Sequence, residues 1–508
     1  MKRILKIAGF TATIVSSAAY STTSNDAHIE SEIHALQLEA QHIEQQADRL
    51  ATQLPYHDKS QIRYSQHLMN TQKANKIITA SRNTVGRTNT GGVRMLGGLT
   101  VITTPYFTDK PAWDGSDLLV NVPTMNEDLR LLQLKSELNK HYQELGIPFN
   151  QRPVIEISGA IEGDIYQGNS YGRTISDIDL GRGELDFNAD ISKWASGFLS
   201  IDYDGAPVIT GNRVGRVSNS RLYLRRGFLT IGDLDVLPIY FTIGQFYVPF
   251  GQYNSAMVTS PLTQTLFRTN TRAALLGFSE DGVYAQAYAY HGETHKGTDT
   301  NVNEWGTNLG YNSPVDQKFI YGFGAGYISN VADSQGMLNN GNEDILTNFQ
   351  GFDTRDSSLL QHLVPGLDLH GNMGFGHFNF FGEYITSLTP FAAPNMSFNL
   401  NGAKPAAIHA EADYSNHWWG RPITFGMAFG ETWQALALNV PEYSYTLVGN
   451  ISIWKDTIES LEYRHDINYG STTQANGGNR ASTPGNTPIF GTAKRARNIV
   501  TLQVGVYF

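Results

Sequence analysis

Apolar and polar residues alternate with a period of two from Pro153 to the C-terminus. In the clearest run, Leu185, Phe187, Ala189 and Ile191 alternate with Glu184, Asp186, Asn188 and Asp190. One apolar and one polar face over about ten residues is typical of transmembrane β-strands, whereas strands of soluble sheets usually have about five or six residues. The pattern predicts an all-β protein, a transmembrane antiparallel β-barrel. A soluble oligosaccharide-binding β protein is the alternative.

The same pattern predicts a barrel of about sixteen strands. They lie at 153–166, 178–191, 194–204, 221–232, 238–248, 271–278, 282–292, 302–312, 317–329, 366–375, 377–387, 405–415, 421–431, 444–454, 457–467 and 496–508. Long connections, at 167–177, 205–220, 249–270, 293–301, 330–365, 388–404, 432–443 and 468–495, alternate with short ones. This alternation puts both chain ends on the short-turn, periplasmic side, as in outer-membrane barrels. Counts from fourteen to eighteen stay open, because the sixth strand is short and one residue, 376, forms a whole connection.

Three segments are predicted before the barrel, which we place at 151–508. Residues 1–21 have the features of a cleaved signal peptide, because Lys2, Arg3 and Lys6 precede a short apolar stretch and several small residues. An exported chain with such a barrel is predicted to lie in the bacterial outer membrane, in contact with the lipid bilayer and lipopolysaccharide.

Residues 22–55 carry a heptad repeat. Its first seam position is occupied by Ile29, Leu36, Ile43 and Leu50, and its second by Ile33, Ala40, Ala47 and Leu54. Apolar residues at these two positions form the seam of a left-handed coiled coil. We therefore predict a coiled coil through which the chain forms a homo-oligomer. The alternative is a single amphipathic helix packed on its own domain.

Residues 56–150 are predicted to form a periplasmic spacer with a helical region at 126–145. Leu131, Leu134 and Leu138 fall on one side of that helix. The inner part of the spacer is expected to lie against the barrel mouth or to enter it.

Composition narrows the classes of partner and cofactor. The 508 residues include 37 Lys and Arg against 47 Asp and Glu, which gives a net charge of −10. Nucleic acid is therefore not an expected partner, because the chain has no basic tract to neutralise phosphates. Zero cysteine excludes disulfides, thiolate metal sites and iron–sulfur clusters.

The polar faces of the strands are expected to line the lumen, and they carry charges of both signs. The acidic residues there are Glu156, Glu162, Asp164, Glu184, Asp186, Asp190, Asp202 and Asp204. The fourth strand brings Arg221, Arg225 and Arg226, and a β-bulge at 225–227 is predicted because the leucines on its two sides differ in parity. Two interpretations stay open: an arginine ladder that guides an anionic solute, and an interior salt-bridge network that stiffens the wall.

One long connection is expected to fold inward and constrict the pore. We choose 249–270, which is long and of mixed polarity, over the longer 330–365. Arg268 lies in the chosen loop and Arg272 directly after it. These two complete the set of candidate pore residues.

The sequence gives little support for a catalytic function. It contains no HExxH or P-loop pattern, so no enzyme, catalytic residue or cofactor is predicted, although a barrel hydrolase is not excluded. His409, Glu411 and Asp413 share a strand face and could hold a metal. We interpret them as polar lumen lining and predict no metal site.

Two motifs give the chain a family resemblance. The spacer contains SDLLVN at 116–121, and a strand leads into a loop through GQFYVPFG at 244–251. With the heptad segment and the barrel, these make the chain resemble the LbtU-type siderophore porins, which are related to the FslE/FupA iron-uptake group.

The resemblance implies import of a ferric polycarboxylate siderophore through a barrel without a plug domain. The candidate arginines would bind such an anion by charge-assisted hydrogen bonds. The alternative function is a general porin, or one selective for anions or carbohydrates, with no iron role.

Overall fold

A computed structural model of the chain describes residues 92–96, 99–103, 106–107, 118–119, 125–144, 154–170, 172–204, 221–294, 296, 301–314, 319–338, 351–352, 360–419, 421–454, 457–477, 489–492 and 495–507. The predicted signal peptide and coiled coil lie outside these residues.

The elements before and in the first half of the barrel are β1 (Gly92–Leu96), β2 (Leu99–Thr103), β3 (Tyr106–Phe107), β4 (Leu118–Leu119), α1 (Glu127–Glu144), β5 (Val154–Ser170), β6 (Arg173–Asp190), β7 (Ala195–Asp204), β8 (Arg221–Gly232), β9 (Ile239–Tyr247), α2 (Leu262–Phe267), β10 (Asn270–Glu280), β11 (Val283–Tyr290) and β12 (Glu304–Asn312).

The second half contains β13 (Phe319–Ile328), a 3-10 turn (Val331–Asp333), α3 (Gln335–Leu338), β14 (Gly366–Phe375), β15 (Phe378–Ser387), β16 (Met396–Phe398), β17 (Asn401–Gly402), β18 (Ala406–Trp418), β19 (Arg421–Trp433), a 3-10 turn (Leu436–Leu438), β20 (Tyr443–Ile451), β21 (Thr457–Ile467), β22 (Gln474–Gly477), β23 (Ile489–Phe490) and β24 (Ala496–Tyr507).

Sixteen long strands form a closed antiparallel barrel. They are β5 to β15, β18 to β21 and β24, and the last strand closes the barrel by pairing with the first, from Arg497 opposite Ser170 to Tyr507 opposite Ala160. The predicted count is confirmed, including the short sixth strand, β10. Tight turns such as Asp281-Gly282, with φ of 51° and 83°, join neighbouring strands because both positions require the left-handed region.

One predicted connection is wrong. The long loop expected at 167–177 does not form, because β5 and β6 stay paired as far as Ser170 opposite Arg173. In the tight turn between them, Gly172 has φ of 94° and its N–H donates to Asn169 Oδ1 at 2.8 Å. The prediction relied on an apolar strand face. At this hairpin the backbone hydrogen bonds continue past the point where that apolar face ends.

Exposure of the strand residues is inverted relative to a soluble sheet. Ile161 and Leu447 are each 53% exposed on the outer surface, whereas Glu162 is 4% and Asp186 0% exposed on the inner one. In a soluble sandwich the apolar face would be buried. The outer face is therefore the one that suits lipid, and the chain is a transmembrane β-barrel.

The lumen contains a packed core of its own. Side chains from α1, from the connection between β9 and β10, from α2 and from residues 331–338 form one buried apolar cluster inside the barrel. Two external connections add the small sheet of β16, β17, β22 and β23. Among the described helices, none has the length and apolarity to cross a membrane.

Candidate solute path and its constriction

A β-bulge in β8 turns two neighbouring arginines toward the lumen. The register between β7 and β8 shifts at Ser200 and Ile201, so that Ser200 faces Arg226, Ile201 faces Leu224, and Arg225 has no partner position. Leu222 and Leu224 are exposed on the outer surface, while Arg226 is fully buried inside. The predicted bulge is confirmed, and it keeps both charges out of lipid.

Arg226 is held by three acidic residues and a serine. Its guanidinium bonds to Glu184, lies 3.6 Å from Asp186 Oδ1, and donates to Ser200 Oγ at 2.9 Å. A fourth partner is Glu127 Oε1 at 2.6 Å, which belongs to α1. For this arginine the geometry favours the salt-bridge network over the ladder.

The ion pair with Glu127 anchors the start of α1 inside the barrel. Asp128 Oδ2 accepts a hydrogen bond from Thr242 Oγ1 of β9 at 2.8 Å. About two turns later, Lys135 Nζ lies 3.4 Å from Asp190 Oδ1 and 2.9 Å from Ser196 Oγ, close to the short turn between β6 and β7. The helix therefore runs through the short-turn half of the lumen.

This position of α1 corrects one expectation and confirms another. The helix predicted at 126–145 is present at Glu127–Glu144, and of the two positions left open for the spacer, against the mouth or inside it, α1 takes the one inside. The expectation of an unplugged barrel is only partly correct, since one helix fills part of the lumen. The sequence showed an amphipathic helix but not its partners on the wall.

The connection between β9 and β10 folds inward, as predicted for 249–270. Its backbone crosses to the opposite wall, where three glutamates accept its N–H groups. Glu383 Oε1 accepts from Gln252 N at 2.6 Å and from Tyr253 N at 3.1 Å. We call residues 248–269 the inward loop.

Two further glutamates hold the middle of the inward loop. Glu411 accepts from Ser255 Oγ and Ala256 N, both at 2.6 Å. Glu462 accepts from Val258 N at 2.6 Å, Thr259 N at 3.0 Å and Thr259 Oγ1 at 2.8 Å. Buried carboxylates thus replace the water that these backbone donors would otherwise need.

In the alternative constriction, 330–365, the described residues at 334–335 bind the inward loop rather than replacing it. Ser334 Oγ donates to Leu266 O of α2 at 2.5 Å, and Gln335 N donates to Arg268 O at 2.9 Å. Both described segments therefore narrow the lumen together.

Arg225 and Arg268 flank Tyr247 at the start of the inward loop. Arg225 pairs with Asp202 and donates from Nε to Tyr247 Oη at 2.7 Å. The Arg268 guanidinium lies 4.5 Å from the centre of the Tyr247 ring, and its Nε donates to Gln335 Oε1 at 3.1 Å.

Arg268 has no carboxylate partner among the described residues, and its Nη1 has no hydrogen-bond partner. Burial lowers the pKa of this loop arginine to about 10, and the nearby charge of Arg225 acts in the same direction. The side chain still carries its charge at neutral pH. The inward loop therefore places an uncompensated cation in the lumen.

The two remaining candidates lie away from this group. Arg221 is exposed at the long-loop end of β8, opposite Asp204. Arg272 is exposed and lies opposite Gln245. It is an even number of residues from exposed Leu276 and an odd number from buried Leu275, so it faces the outer surface. Of the five predicted arginines, the fold brings together only Arg225, Arg226 and Arg268.

Three buried residues that the sequence reasoning passed over also meet on the wall. Asp368, His370 and Glu383 bring their donor atoms within 4.8 Å of one another, and they are the one such group among the described residues. In the trio considered from sequence, His409 Nε2 contacts Glu411 Oε2 at 2.9 Å, but Glu411 is also bound to the inward loop.

Parity could have found some of the missed residues. Arg182 shares the parity of Glu184 and lies 3.8 Å from it, so the alternation alone placed it inside. His370 and Glu383 are directly opposite each other in register, which requires knowing the pairing of β14 with β15. Nothing in the sequence near Glu383, Glu411 and Glu462 indicates that these carboxylates hold the inward loop, because their partners are far away along the chain.

Sequence relatives assign the chain to a family. It is 40% identical over 424 residues to UPF0422 protein lpl2888 of Legionella pneumophila (strain Lens), a match that covers 82% of this chain and 78% of the relative. The chain belongs to the UPF0422 family. A UPF0422 protein of Coxiella burnetii (strain RSA 493 / Nine Mile phase I) is 37% identical over 409 residues, covering 80% of this chain and 83% of the relative. No protein-family model matches the UPF0422 chain.

The solved structures whose folds are similar to this chain include outer-membrane proteins. Salmonella typhi OmpF in complex with daunomycin has a TM-score of 0.45 at 10% identity, covering 70% of this chain and 97% of that one. The channel DcaP of Acinetobacter baumannii has a TM-score of 0.42 at 12% identity, with the same coverage. The barrel assignment of this UPF0422 member rests on its own strand pairing.

Proposed function

We propose that this UPF0422 member is a porin-type channel of the bacterial outer membrane that admits small anionic solutes. The observation that carries the proposal is the charged Arg268 side chain, placed in the lumen by the inward loop with no described carboxylate partner. Its preferred cargo, by the resemblance to LbtU-type siderophore porins, is a ferric polycarboxylate siderophore.

The chemistry of the Arg268 position suits a carboxylate-bearing solute. Its guanidinium is oriented by the Tyr247 ring and by Gln335, so little side-chain entropy would be lost on binding. Nη1 is buried and has no hydrogen-bond partner among the described residues, and hydrogen bonds from a guanidinium to a carboxylate are short and strong. A neutral sugar would gain less at this position.

The narrowed lumen favours a selective channel over a general porin. α1 occupies the short-turn half, and the inward loop and α2 cross the centre. Between α1 and the inward loop remains a cavity of about 160 Å³, lined by Asn126, Arg130, Gln252 and Asn254 among others. Its polar lining suits a hydrated solute.

The outer surface supports the proposed location. Exposed aliphatic side chains such as Ile165, Leu309 and Leu461 cover the strands where lipid would lie, and exposed Trp419 and Trp454 sit at two of the short turns. Export through the signal peptide, contact with lipopolysaccharide and homo-oligomerisation through the coiled coil are further parts of the proposal.

Replacing Arg268 with glutamine is expected to weaken block of the channel by an anionic ferric chelate about tenfold or more, because one charge-assisted hydrogen bond is worth roughly 1.5–3 kcal/mol. The measurement is single-channel current in planar bilayers with increasing ferric citrate, used as the polycarboxylate probe. Arg272→Gln is the matched control, since it removes the same charge from the outer surface. Equal block of both variants would contradict the role of Arg268.

The proposed preference for a ferric complex is tested by a separate uptake measurement. Liposomes containing the wild-type chain are expected to take up radioactive ferric citrate faster than a neutral trisaccharide of similar size, and Arg268→Gln is expected to reduce this ratio. Uptake that follows solute size alone would support a general porin. Preference for anions without preference for the ferric complex would support an anion-selective porin with no iron role.

A further inference from the structure

Three buried side chains with metal-ligating atoms meet on the inner wall. Asp368 and His370 are two residues apart in β14, so they share one face of the strand. Glu383 lies directly opposite His370 in the neighbouring β15. One donor atom from each lies within 4.8 Å of the other two.

The local hydrogen bonds leave one oxygen of each buried carboxylate, Asp368 Oδ1 and Glu383 Oε2, without a hydrogen-bond partner. Asp368 is 0% exposed; its Oδ2 contacts His370 Nδ1 at 2.5 Å, but its Oδ1 has no hydrogen-bond partner. Glu383 adds a second buried carboxylate. Buried charges are costly unless they are paired or coordinate a metal. His370 can offset one of the two negative charges only when it is protonated.

We propose that Asp368, His370 and Glu383 bind a divalent first-row transition cation, with zinc as the best match. Two carboxylate oxygens and one imidazole nitrogen are a ligand set that zinc accepts, and a divalent charge would neutralise both acids. Three protein ligands leave a further coordination position for water or solute.

The surroundings leave space for the imidazole and a route to it. A Cβ on Gly324 of the adjacent β13 would lie 2.4 Å from His370 Nε2, so only glycine fits there with this position of the ring. His370 Nε2 is 3.2 Å from Tyr284 Oη, and Tyr284 lines the cavity between α1 and the inward loop. A cation could reach the site through that cavity.

The cation would also act on the inward loop. Glu383 Oε1 accepts the first two backbone N–H groups of the loop's crossing segment, from Gln252 and Tyr253. A metal bound to the same carboxylate would fix the orientation of that carboxylate. Zinc binding is therefore expected to stabilise the inward loop in its crossing position.

The test is zinc titration of the full-length chain, folded in detergent micelles and stripped with EDTA, by calorimetry and by metal analysis after dialysis. The wild type is expected to bind one zinc per chain. His370→Gln and Asp368→Asn should each weaken binding about tenfold or more. His409→Gln is the matched control, because it removes the histidine that contacts Glu411 on neighbouring β18.

A second readout separates a metal site from a hydrogen-bonded pair. Zinc should raise the Tm of the wild type and of His409→Gln, but not that of His370→Gln or Asp368→Asn. If one of these two fails to assemble, the other carries the comparison. Zinc bound equally well by wild type and by the assembled variant would overturn the proposal, as would loss of zinc in His409→Gln alone.

Discussion

Replacing Arg226 with glutamine is expected to lower the free energy of unfolding by about 3–5 kcal/mol, the usual effect of breaking a buried ion pair. The guanidinium is fully buried, and its loss would leave Glu127, Glu184 and Asp186 without their shared cation. The measurement is urea unfolding of the barrel in lipid vesicles, followed by tryptophan fluorescence.

The matched control is Arg221→Gln, which makes the same change at an exposed position of the same strand. Its effect should stay below about 1 kcal/mol, as for most exposed ion pairs. Adding Glu127→Gln to Arg226→Gln should restore part of the lost stability, since one orphaned charge is then removed. A loss in Arg226→Gln no larger than that in Arg221→Gln would refute the network.

The second large effect is expected from the glutamates that hold the inward loop. Replacing Glu411 and Glu462 together with alanine removes five hydrogen bonds to the loop. At roughly 1.5 kcal/mol or more each for bonds to charged groups, they exceed the roughly 5.5 kcal/mol that reverses a 1:99 population. The middle of the loop, at 255–259, should detach from the wall, and single-channel conductance should rise about twofold or more.

Glu156→Ala is the control for the conductance experiment. Glu156 is also a buried wall carboxylate, but its Oε2 accepts from Asn188 Nδ2 of the neighbouring strand at 2.6 Å. Its loss should leave the conductance close to that of the wild type. If both variants conduct alike, the inward loop does not set the size of the pore.

Together the two experiments distinguish residues that stabilise the barrel wall from residues that hold the inward loop. Arg226 binds α1 to the wall through Glu127, while the glutamates bind the inward loop to the opposite wall. Arg226→Gln is expected to lower the stability without changing the conductance. Replacing Glu411 and Glu462 is expected to change the conductance more than the stability. Arg268 is expected to change selectivity with little effect on either.

Local alternation was enough to predict much of the barrel. Because successive side chains of a strand point to opposite faces, the parity of Leu185 and Asp186 fixed which one meets lipid and which one the lumen. The change of parity across Arg225 and Arg226 likewise fixed the bulge. The predicted loop at 167–177 was wrong, because polar residues also continue a ladder of backbone hydrogen bonds.

Parity says which side a residue faces, but not which group it meets there. Arg226 and Glu127 are 99 positions apart, and Ala256 and Glu411 are 155 apart. Such pairs are decided only when the barrel closes and chain segments enter its lumen. The same holds for Arg268, whose lack of a carboxylate partner depends on the path of the inward loop.

The amino-acid sequence by itself therefore determined most of the strands and their two faces, since these follow from covalent geometry repeated along the chain, whereas the count of sixteen was fixed by closure of the barrel. The tertiary structure alone decided how the lumen is filled. The fold determines which acidic residues contact Arg226 and which glutamates hold the inward loop. It also brings Asp368, His370 and Glu383 together. The physical reason is that a buried charge takes its partner from whatever the fold brings within a few ångströms, whatever the distance along the chain.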